Sequence, residues 1–225
     1  MKVLDLFSGI GGFSLGLERA GMQTIAFCEI GDYPRRVLRK HWPDVPIFDD
    51  VGTLQREDLE VQPDVVCGGF PCQPWSRAAR GRNNAPDLWP AMRSVVFRIR
   101  PKWVIAENVE EFPIERAARD LRALGYQSWR RRVGADDCGA DHARSRWWLC
   151  AHADGNSEFH GAIDAEMAKL PEVCRGLWSG ANYAAALRVP DGIPHRVDRL
   201  RAIGNAVVPQ IVEVIGRAIM AAEAA

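Results

Sequence analysis

A cysteine held between two prolines is the residue of this chain whose setting best suits chemistry. Cys72 follows an apolar, strand-like run and the pair Gly68-Gly69, and it lies within Phe70-Pro71-Cys72-Gln73-Pro74. Prolines stiffen a turn, and glycines let the backbone approach another group closely. A thiol held rigidly at the end of a strand suits a nucleophile, whereas most lone cysteines are buried packing residues. We therefore interpret Cys72 as a nucleophile.

A carboxylate follows a second apolar run. Glu107-Asn108-Val109 comes directly after the strand-like residues 103–106. In α/β sheets, functional side chains gather where parallel strands end. Burial there would raise the pKa of Glu107 and allow it to donate a proton near neutral pH. The alternative interpretation is an acid that caps the next helix.

The first turn of the chain is rich in glycine and opens a helix. Its sequence, Asp5-Leu6-Phe7-Ser8-Gly9-Ile10-Gly11-Gly12, can admit a nucleotide-like ligand against bare backbone. It lacks the Gly-Lys-Ser/Thr ending of a phosphate loop, which disfavours a nucleoside triphosphate. Glu29 and Asp50 follow the next two strands, where they could accept hydrogen bonds from a ribose and from an adenine amino group. Each acid alone is equally well explained as a solvated loop residue, but together they indicate an adenosine-bearing cofactor.

Strands and helices that alternate along the chain would position these residues. The predicted strands are 3–7, 24–28, 47–48, 64–67, 103–106, 126–133 and 147–151. The predicted helices are 13–20, 33–41, 89–100, 115–124 and 208–222, with a further short helix near 165–174. This alternation is typical of an α/β fold, here a Rossmann-like, doubly wound mixed sheet.

Composition excludes several classes of protein. With 225 residues, the chain fits one domain, or one domain with a small appendage. It has no formal net charge, so a global basic surface for nucleic acid is absent. All but four of the 29 basic residues are arginine, the side chain best suited to phosphate recognition, although a GC-rich genome would give the same bias. The six cysteines form no Cys-x-x-Cys pair. With no signal peptide and no membrane-spanning stretch apparent, we expect a reduced cytoplasmic protein without a metal site.

Five ordered motifs resemble those of the DNA (cytosine-5)-methyltransferases. They occupy residues 5–12, 69–76, 107–109, 139–146 and 204–209, which is the family's order and spans nearly the whole chain. The resemblance implies the fold of S-adenosylmethionine-dependent methyltransferases. It also implies a catalytic domain formed by residues 1–153 plus 195–225, and a very small target-recognition segment at 154–194.

The resemblance implies a covalent mechanism. Cys72 would attack C6 of a cytosine, and Glu107 would hold the ring at N3 and protonate it. Carbon C5 would then accept the methyl group of S-adenosylmethionine, which leaves S-adenosylhomocysteine. Arg144 and Arg146 would place positive charge near the ring, and Asn108 would brace the loop that carries the carboxylate.

The resemblance also implies which residues meet the cofactor, and no metal is expected. These residues are Phe7, Ser8, Gly9, Gly11, Glu29, Ile30, Asp50, Asn205 and Ala206. Asn205 and Ala206 can close over the methionine end only if the C-terminal helix folds back beside the first helix. Two positions depart from the family pattern. His142 stands where glutamine is usual, and Ile30 stands where a bulky aromatic residue usually packs on adenine.

Double-stranded DNA is the partner that the resemblance implies, with the target base rotated out of the stack. The predicted DNA contacts are Phe70, Pro71, Gln73, Ser76, Arg77, Arg80, Arg82 and Asn108. Arg196, Arg199 and Arg201 are further candidates for phosphate contacts or form a solvated helix face. The short recognition segment predicts a short recognition site. We expect a monomer from a bacterium or phage, with a cognate restriction endonuclease as a candidate partner.

Three other interpretations remain open from the sequence. A tRNA cytosine-5 methyltransferase shares the motifs, but the Cys-Phe-Thr triplet usual in that branch is absent. A non-catalytic relative could bind DNA without chemistry, although Cys72, Glu107 and Arg146 are intact. A nicotinamide-dependent dehydrogenase would account for the glycine-rich turn and leave the cysteine and glutamate motifs unexplained.

Overall fold

A computed structural model describes residues 1–71, 86–139, 144–154, 158–174 and 196–224, without the side chains of 158, 196, 197 and 199–201. The strands in these residues are β1 (Lys2–Leu6), β2 (Gln23–Cys28), β3 (Ile47–Phe48), β4 (Val65–Gly69), β5 (Trp103–Asn108), β6 (Gln127–Val133) and β7 (Arg146–His152). The helices are α1 (Gly12–Arg19), α2 (Asp32–His41), α3 (Trp89–Ile99), α4 (Glu111–Ala123), α5 (Glu158–Met167), α6 (Leu170–Val173), α7 (Arg196–Asn205) and α8 (Pro209–Ala224).

Within the described part of the chain, the strands form one seven-stranded sheet in the order β3-β2-β1-β4-β5-β7-β6. Strands β1 to β5 are parallel, whereas β7 runs antiparallel to both β5 and β6. The predicted doubly wound mixed sheet is therefore confirmed. The chain leaves β1 toward one edge and leaves β4 toward the other, so a crevice opens where these neighbouring strands end.

Both faces of the sheet are covered, which explains why its strands are apolar almost throughout. On one face, α1, α5 and α8 pack against alternate strand residues such as Val3, Cys67 and Ile105. On the other face, α3 and α4 pack against the residues between them, such as Leu4 and Val66. Successive side chains of a strand point to opposite faces of the sheet, so each central strand contributes side chains to both cores.

The C-terminal helix lies beside the first helix, as the motif order required. A Cβ atom at Gly16 of α1 would lie 2.4 Å from the Pro209 carbonyl oxygen and 2.6 Å from Cβ of Val212. From the α8 side, a Cβ atom at Gly216 would lie 2.7 Å from Cβ of Ala20. The two helices approach so closely because glycine stands at both contact points.

The segment from 154 to 194 differs from the sequence expectation. The short helix predicted near 165–174 is two helices, α5 and α6. Phe159, Ile163 and Met167 of α5 are buried in the core that α8 shares. Residues 158–174 therefore pack with the sheet domain, while residues 175–195 lie outside the described part of the chain. The proposed division into a catalytic domain and a recognition segment remains a prediction.

One apolar stretch was missed in the sequence. Residues Ala202–Ala224, with a mean hydropathy of 1.3, are long and apolar enough to cross a membrane by length and composition. The expectation that no such stretch exists was wrong on those criteria. Val212, Val214 and Ile215 of this stretch are fully buried against the sheet domain. The stretch comprises the end of α7 and the whole of α8, and we interpret it as part of the protein core.

Replacing Gly16 by alanine is expected to destabilise the fold. The added methyl group would overlap backbone and Cβ atoms that cannot rotate away, so the cost should be about 1–3 kcal/mol. Chemical denaturation would measure it. The matched control is Gly161→Ala in α5, where nothing lies within 4 Å of the new Cβ atom. That change should stabilise the helix by about 0.5–1 kcal/mol. Equal stability of the Gly16 variant and wild type would contradict the close packing of α1 on α8.

Candidate active site

A cleft of about 1110 Å³ opens at the carboxyl ends of the central strands. It exceeds the volume of about 300–1,000 Å³ usual for a single small ligand. The lining includes Phe7, Ser8, Gly9, Glu29, Ile30, Asp49, Asp50, Val51, Phe70, Pro71, Glu107, Asn108, Arg146, Asn205 and Ala206. The cleft therefore joins the glycine-rich turn to Glu107 of β5 and Arg146 of β7 in one continuous space.

At one end of the cleft, the carboxylate of Glu29 organises the glycine-rich turn. Its Oε2 accepts a hydrogen bond from the Gly9 amide at 2.8 Å, and its Oε1 accepts one from the Gly31 amide at 2.7 Å. The turn between β1 and α1 has positive φ at Phe7 (52°) and at Gly9 (54°). Open space surrounds the missing Cβ of Gly9. Bare backbone thus faces the cleft beside a carboxylate with lone pairs still available.

Eight of the nine residues predicted to meet the cofactor line this cleft, and Gly11 does not. A Cβ atom at Gly11 would lie 2.5 Å from the ring of Trp42, and its φ is 87°. Gly11 therefore serves the packing of the turn against Trp42. Ser8 lines the cleft, but its hydroxyl donates to the Asp5 carbonyl at 2.6 Å and accepts from the Cys28 amide at 3.2 Å. Ile30 is 79% exposed at the cleft rim.

At the other end of the cleft, Glu107 and Arg146 form a buried ion pair. Glu107 is the fifth residue of β5 and is only 8% exposed. Nε of Arg146 lies 2.8 Å from its Oε1. Burial raises the pKa of Glu107 to about 7, although the positive charges of Arg146 and then Arg144 act in the opposite direction. A carboxyl group in this state can hold and release a proton near neutral pH.

The loop after β4 is held against β5 by one side chain. Nδ2 of Asn108 donates to the Phe70 carbonyl at 2.9 Å, and Oδ1 of Asn108 accepts from the Glu110 amide at 3.3 Å. The Phe70 ring is buried and packs 5.2 Å from the ring of Trp89. Gly69 passes beside Glu107 so closely that a Cβ atom there would lie 2.9 Å from Oε2. Pro71, the residue before Cys72 in sequence, lines the cleft.

The two arginines expected beside the ring make different contacts in the structure. Arg146 lines the cleft and pairs with Glu107. Arg144 instead donates from Nη2 to the carbonyl oxygens of Gly204, at 2.5 Å, and of Ala206, at 2.7 Å. These interactions connect Arg144, which precedes β7, with the last turn of α7 and the residue that follows the helix.

Several predicted site residues lie outside the described part of the chain. They are Cys72, Gln73, Ser76, Arg77, Arg80, Arg82 and His142. The side chains of Arg196, Arg199 and Arg201 lie outside it as well. The roles predicted for these residues stay predictions.

The cleft also contains residues that sequence reasoning did not select. Phe13, Val51, Asp198 and Val207 are among its lining residues. Val51 follows Asp50 at a strand end, and Phe13 follows the glycine-rich turn, so adjacency to a motif was an available signal. Asp198 had no such signal, because its position depends on how α7 packs.

The family of C-5 cytosine-specific DNA methylases matches residues 1–178 of this sequence. The chain belongs to this family. Its seven-stranded mixed sheet, with β7 as the antiparallel strand of the described part, accordingly has the α/β fold of S-adenosylmethionine-dependent methyltransferases.

Individual relatives of this methylase chain are shown by sequence comparison. Type II methyltransferase M.HgiBI of Herpetosiphon aurantiacus is 34% identical over 160 residues, which cover 66% of this chain and 36% of the relative. Type II methyltransferase M.HindV of Haemophilus influenzae is 32% identical over 185 residues, covering 76% and 59%. The chain therefore spans between 36% and 59% of the length of these curated relatives.

Solved structures give the same fold. A DNA modification methyltransferase encoded within an E. coli prophage superposes with a TM-score of 0.56 and 27% identity, covering 68% of this chain and 46% of that one. Spodoptera frugiperda DNMT2 superposes with a TM-score of 0.58 and 18% identity, covering 69% and 51%. At 18% identity, the second likeness concerns the fold alone.

A second buried acid lies beneath the glycine-rich turn of this methylase chain. Oδ2 of Asp5 accepts hydrogen bonds from the Ser14 hydroxyl at 2.8 Å and from the Ser14 amide at 3.3 Å. Burial raises the pKa of Asp5 to about 7, with Ser14 acting in the opposite direction and the charge of Glu29 adding to the rise. Asp5 thus joins the end of β1 to the first turn of α1 and keeps its proton to near neutral pH.

Replacing Asp5 by asparagine is expected to flatten the pH dependence of the unfolding free energy between about pH 4 and pH 7. In the folded chain Asp5 keeps its proton to about pH 7, whereas the unfolded chain loses it near the ordinary value of 3.8. The native state binds more protons in this window, so wild-type stability falls as pH rises through it. Asparagine does not titrate, and it keeps an acceptor for Ser14. The unfolding free energy is measured by denaturation at pH 5 and at pH 7.5. Its decrease between these two pH values should be larger in wild type than in the variant by on the order of 1–3 kcal/mol. Equal losses in the two proteins would contradict this account.

Proposed function

We propose that this chain transfers a methyl group from S-adenosylmethionine to C5 of a cytosine in double-stranded DNA, through a covalent bond between Cys72 and C6. The observation that carries the proposal is the ion pair of Glu107 and Arg146 in the same cleft as the glycine-rich turn and Glu29. Family membership and the five ordered motifs support it.

The residues at the Glu29 end of the cleft fit an adenosine-bearing cofactor. The carboxylate of Glu29 can accept hydrogen bonds from ribose hydroxyls, and the open space beside Gly9 admits a ligand against the backbone. Asp50, at the same rim, can accept from an adenine amino group. Phe7, Phe13 and other apolar residues of the lining exclude water. When bound, S-adenosylmethionine supplies an activated methyl group.

The residues at the Glu107 end fit a cytosine. Carbon C5 of cytosine is a poor nucleophile until a group adds at C6. In the proposed reaction the thiolate of Cys72 forms the bond to C6, and Glu107 gives its proton to N3 so that the ring holds the added electrons. C5 then takes the methyl group, the C5 proton leaves to a base, and the returning electron pair breaks the bond between C6 and sulfur. N3 returns its proton to Glu107, which restores both the neutral base and the acid. A free thiol has a pKa of about 8.5, so nearby positive charge such as that of Arg146 would favour the thiolate.

Duplex DNA is the proposed substrate, and the target base must leave the stack before a thiol can reach it. Because residues 158–174 pack with the sheet domain, we propose that residues 175–195 read the DNA sequence, together with residues 76–86. A module of that size buries limited surface, about 600–1,000 Å² of protein. We therefore propose a short recognition site. A bacterial cytoplasm and a cognate restriction endonuclease belong to the same proposal, supported by the bacterial Type II relatives. A monomer is proposed with them.

Replacing Cys72 by serine is expected to abolish methyl transfer, because a serine hydroxyl at this position is a much weaker nucleophile than a thiolate. Labelled S-adenosylmethionine incubated with mixed duplex DNA measures the transfer, and mapping of modified cytosines gives the site. Wild-type protein should form a covalent complex with DNA that contains 5-fluorocytosine, because fluorine at C5 blocks the final elimination. The serine variant should form none.

The matched control is Cys174→Ala, which removes a buried thiol that does not line the cleft. It should keep both transfer and trapping. Transfer by the Cys72→Ser protein would overturn the mechanism, and a clear preference for tRNA over duplex DNA in the same assay would overturn the substrate.

The pH dependence of kcat/KM should carry the signature of Glu107. Its protonated form gives the proton to N3, so activity should fall above about pH 7, the value to which burial raises this pKa. Glu107→Gln should lower kcat/KM by about 10²–10⁴ and remove that descending limb. Glu111→Gln, an exposed carboxylate in the first turn of α4, should keep the wild-type profile. A descending limb that persists in the Glu107→Gln protein would assign it to another group.

A further inference from the structure

We infer that Arg144 is a positioning residue that fixes the cofactor wall formed by residues 204–206 to the strand that carries Arg146. The identity of the cofactor in this inference rests on the proposed function. The inference starts from two hydrogen bonds, which Nη2 of Arg144 donates to the carbonyl oxygens of Gly204 and Ala206.

The charge of Arg144 suits the end of the helix that it contacts. Helix α7 ends at Asn205, and the last four carbonyl groups of a helix lack partners within the helix. A positive side chain near these carbonyls also interacts favourably with the helix macrodipole. The last turn of α7 contains no basic residue of its own. The positive charge at this helix end is therefore supplied by Arg144, which precedes β7 and lies 60 residues before Gly204 in the sequence.

The segment that Arg144 contacts forms one wall of the cleft. Asn205 and Ala206 line the cleft, and Val207 packs so closely on the first helix that a Cβ atom at Gly12 would lie 2.9 Å from its Cγ2. Movement of this segment would therefore change the space beside the glycine-rich turn. Two charge-assisted hydrogen bonds from one guanidinium restrict that movement.

The same short stretch of chain reaches the other end of the cleft. Arg146, two residues after Arg144, pairs with Glu107 at 2.8 Å. The sequence Arg144-Ser145-Arg146 thus connects the wall at the glycine-rich turn with the acid at the opposite end. If binding at either end restrains this stretch, the two ends influence each other's affinity reciprocally.

The test is the affinity of the purified protein for S-adenosylhomocysteine, measured by isothermal titration calorimetry without DNA. Arg144→Gln should weaken binding about tenfold or more, because the charge-assisted bonds to the carbonyls are lost. Arg144→Lys keeps the charge with fewer, differently placed donors, so it should weaken binding by a smaller factor, about threefold. In steady-state assays Arg144→Gln should raise the KM for S-adenosylmethionine by a larger factor than it changes kcat.

The matched control is Arg131→Gln, which removes an exposed arginine on the neighbouring strand β6 that pairs with Asp164 at 3.4 Å. It should bind S-adenosylhomocysteine as wild type does. If Arg144→Gln binds as tightly as wild type, or loses kcat at saturating cofactor with an unchanged dissociation constant, the inference is wrong and the proposed function stands. If Arg144→Gln does not fold, the lysine variant decides, and wild-type affinity in that variant overturns the inference. Failure of the wild-type protein itself to bind S-adenosylhomocysteine would instead overturn the proposed function.

Discussion

Two opposing electrostatic effects act on the carboxyl group of Glu107. Removal from water favours its protonated form, whereas Arg146, with Nε 2.8 Å away, favours the carboxylate. Burial wins, and the group can hold a proton near neutral pH. The arrangement depends on the antiparallel pairing of β7 with β5, which sets Trp148 opposite Glu107 and Trp147 opposite Asn108. That register brings Arg146, the first residue of β7, beside the carboxyl group.

The opposite end of the cleft depends on contacts between the two ends of the chain. Glycines at 16 and 216 allow α8 to pack directly on α1, and Val207 reaches the backbone at Gly12. This packing brings Asn205 and Ala206 beside the glycine-rich turn, whose Gly9 amide donates to Glu29. The match to the C-5 cytosine-specific DNA methylases ends at residue 178, yet α8, beyond it, completes the same core. The cleft is therefore a product of the whole described fold.

Local signals in the sequence predicted most of the secondary structure. Apolar runs bounded by glycine and proline marked the strands, and β1, β2, β3 and β4 lie within about two residues of their predicted bounds, an offset that is usual at element ends. The helix predicted at 115–124 begins earlier, at Glu111, and the weak periodicity after residue 154 concealed the helix that begins at Glu158. Helix α5 is stabilised mainly by burial against α8, which no local pattern records.

For the site, the amino-acid order alone showed which side chains stand at strand ends, because their positions follow from the alternation of strands and helices. Glu29, Glu107 and several other residues that line the cleft could be selected in this way. What each of them contacts depended on the folded chain. Gly11 packs on Trp42, Arg144 bonds to the end of α7, and burial shifts the pKa of Asp5 as well as that of Glu107. These outcomes depend on contacts between residues far apart in the chain. A carboxyl group is desolvated, and its pKa raised, only when such contacts exclude water from it.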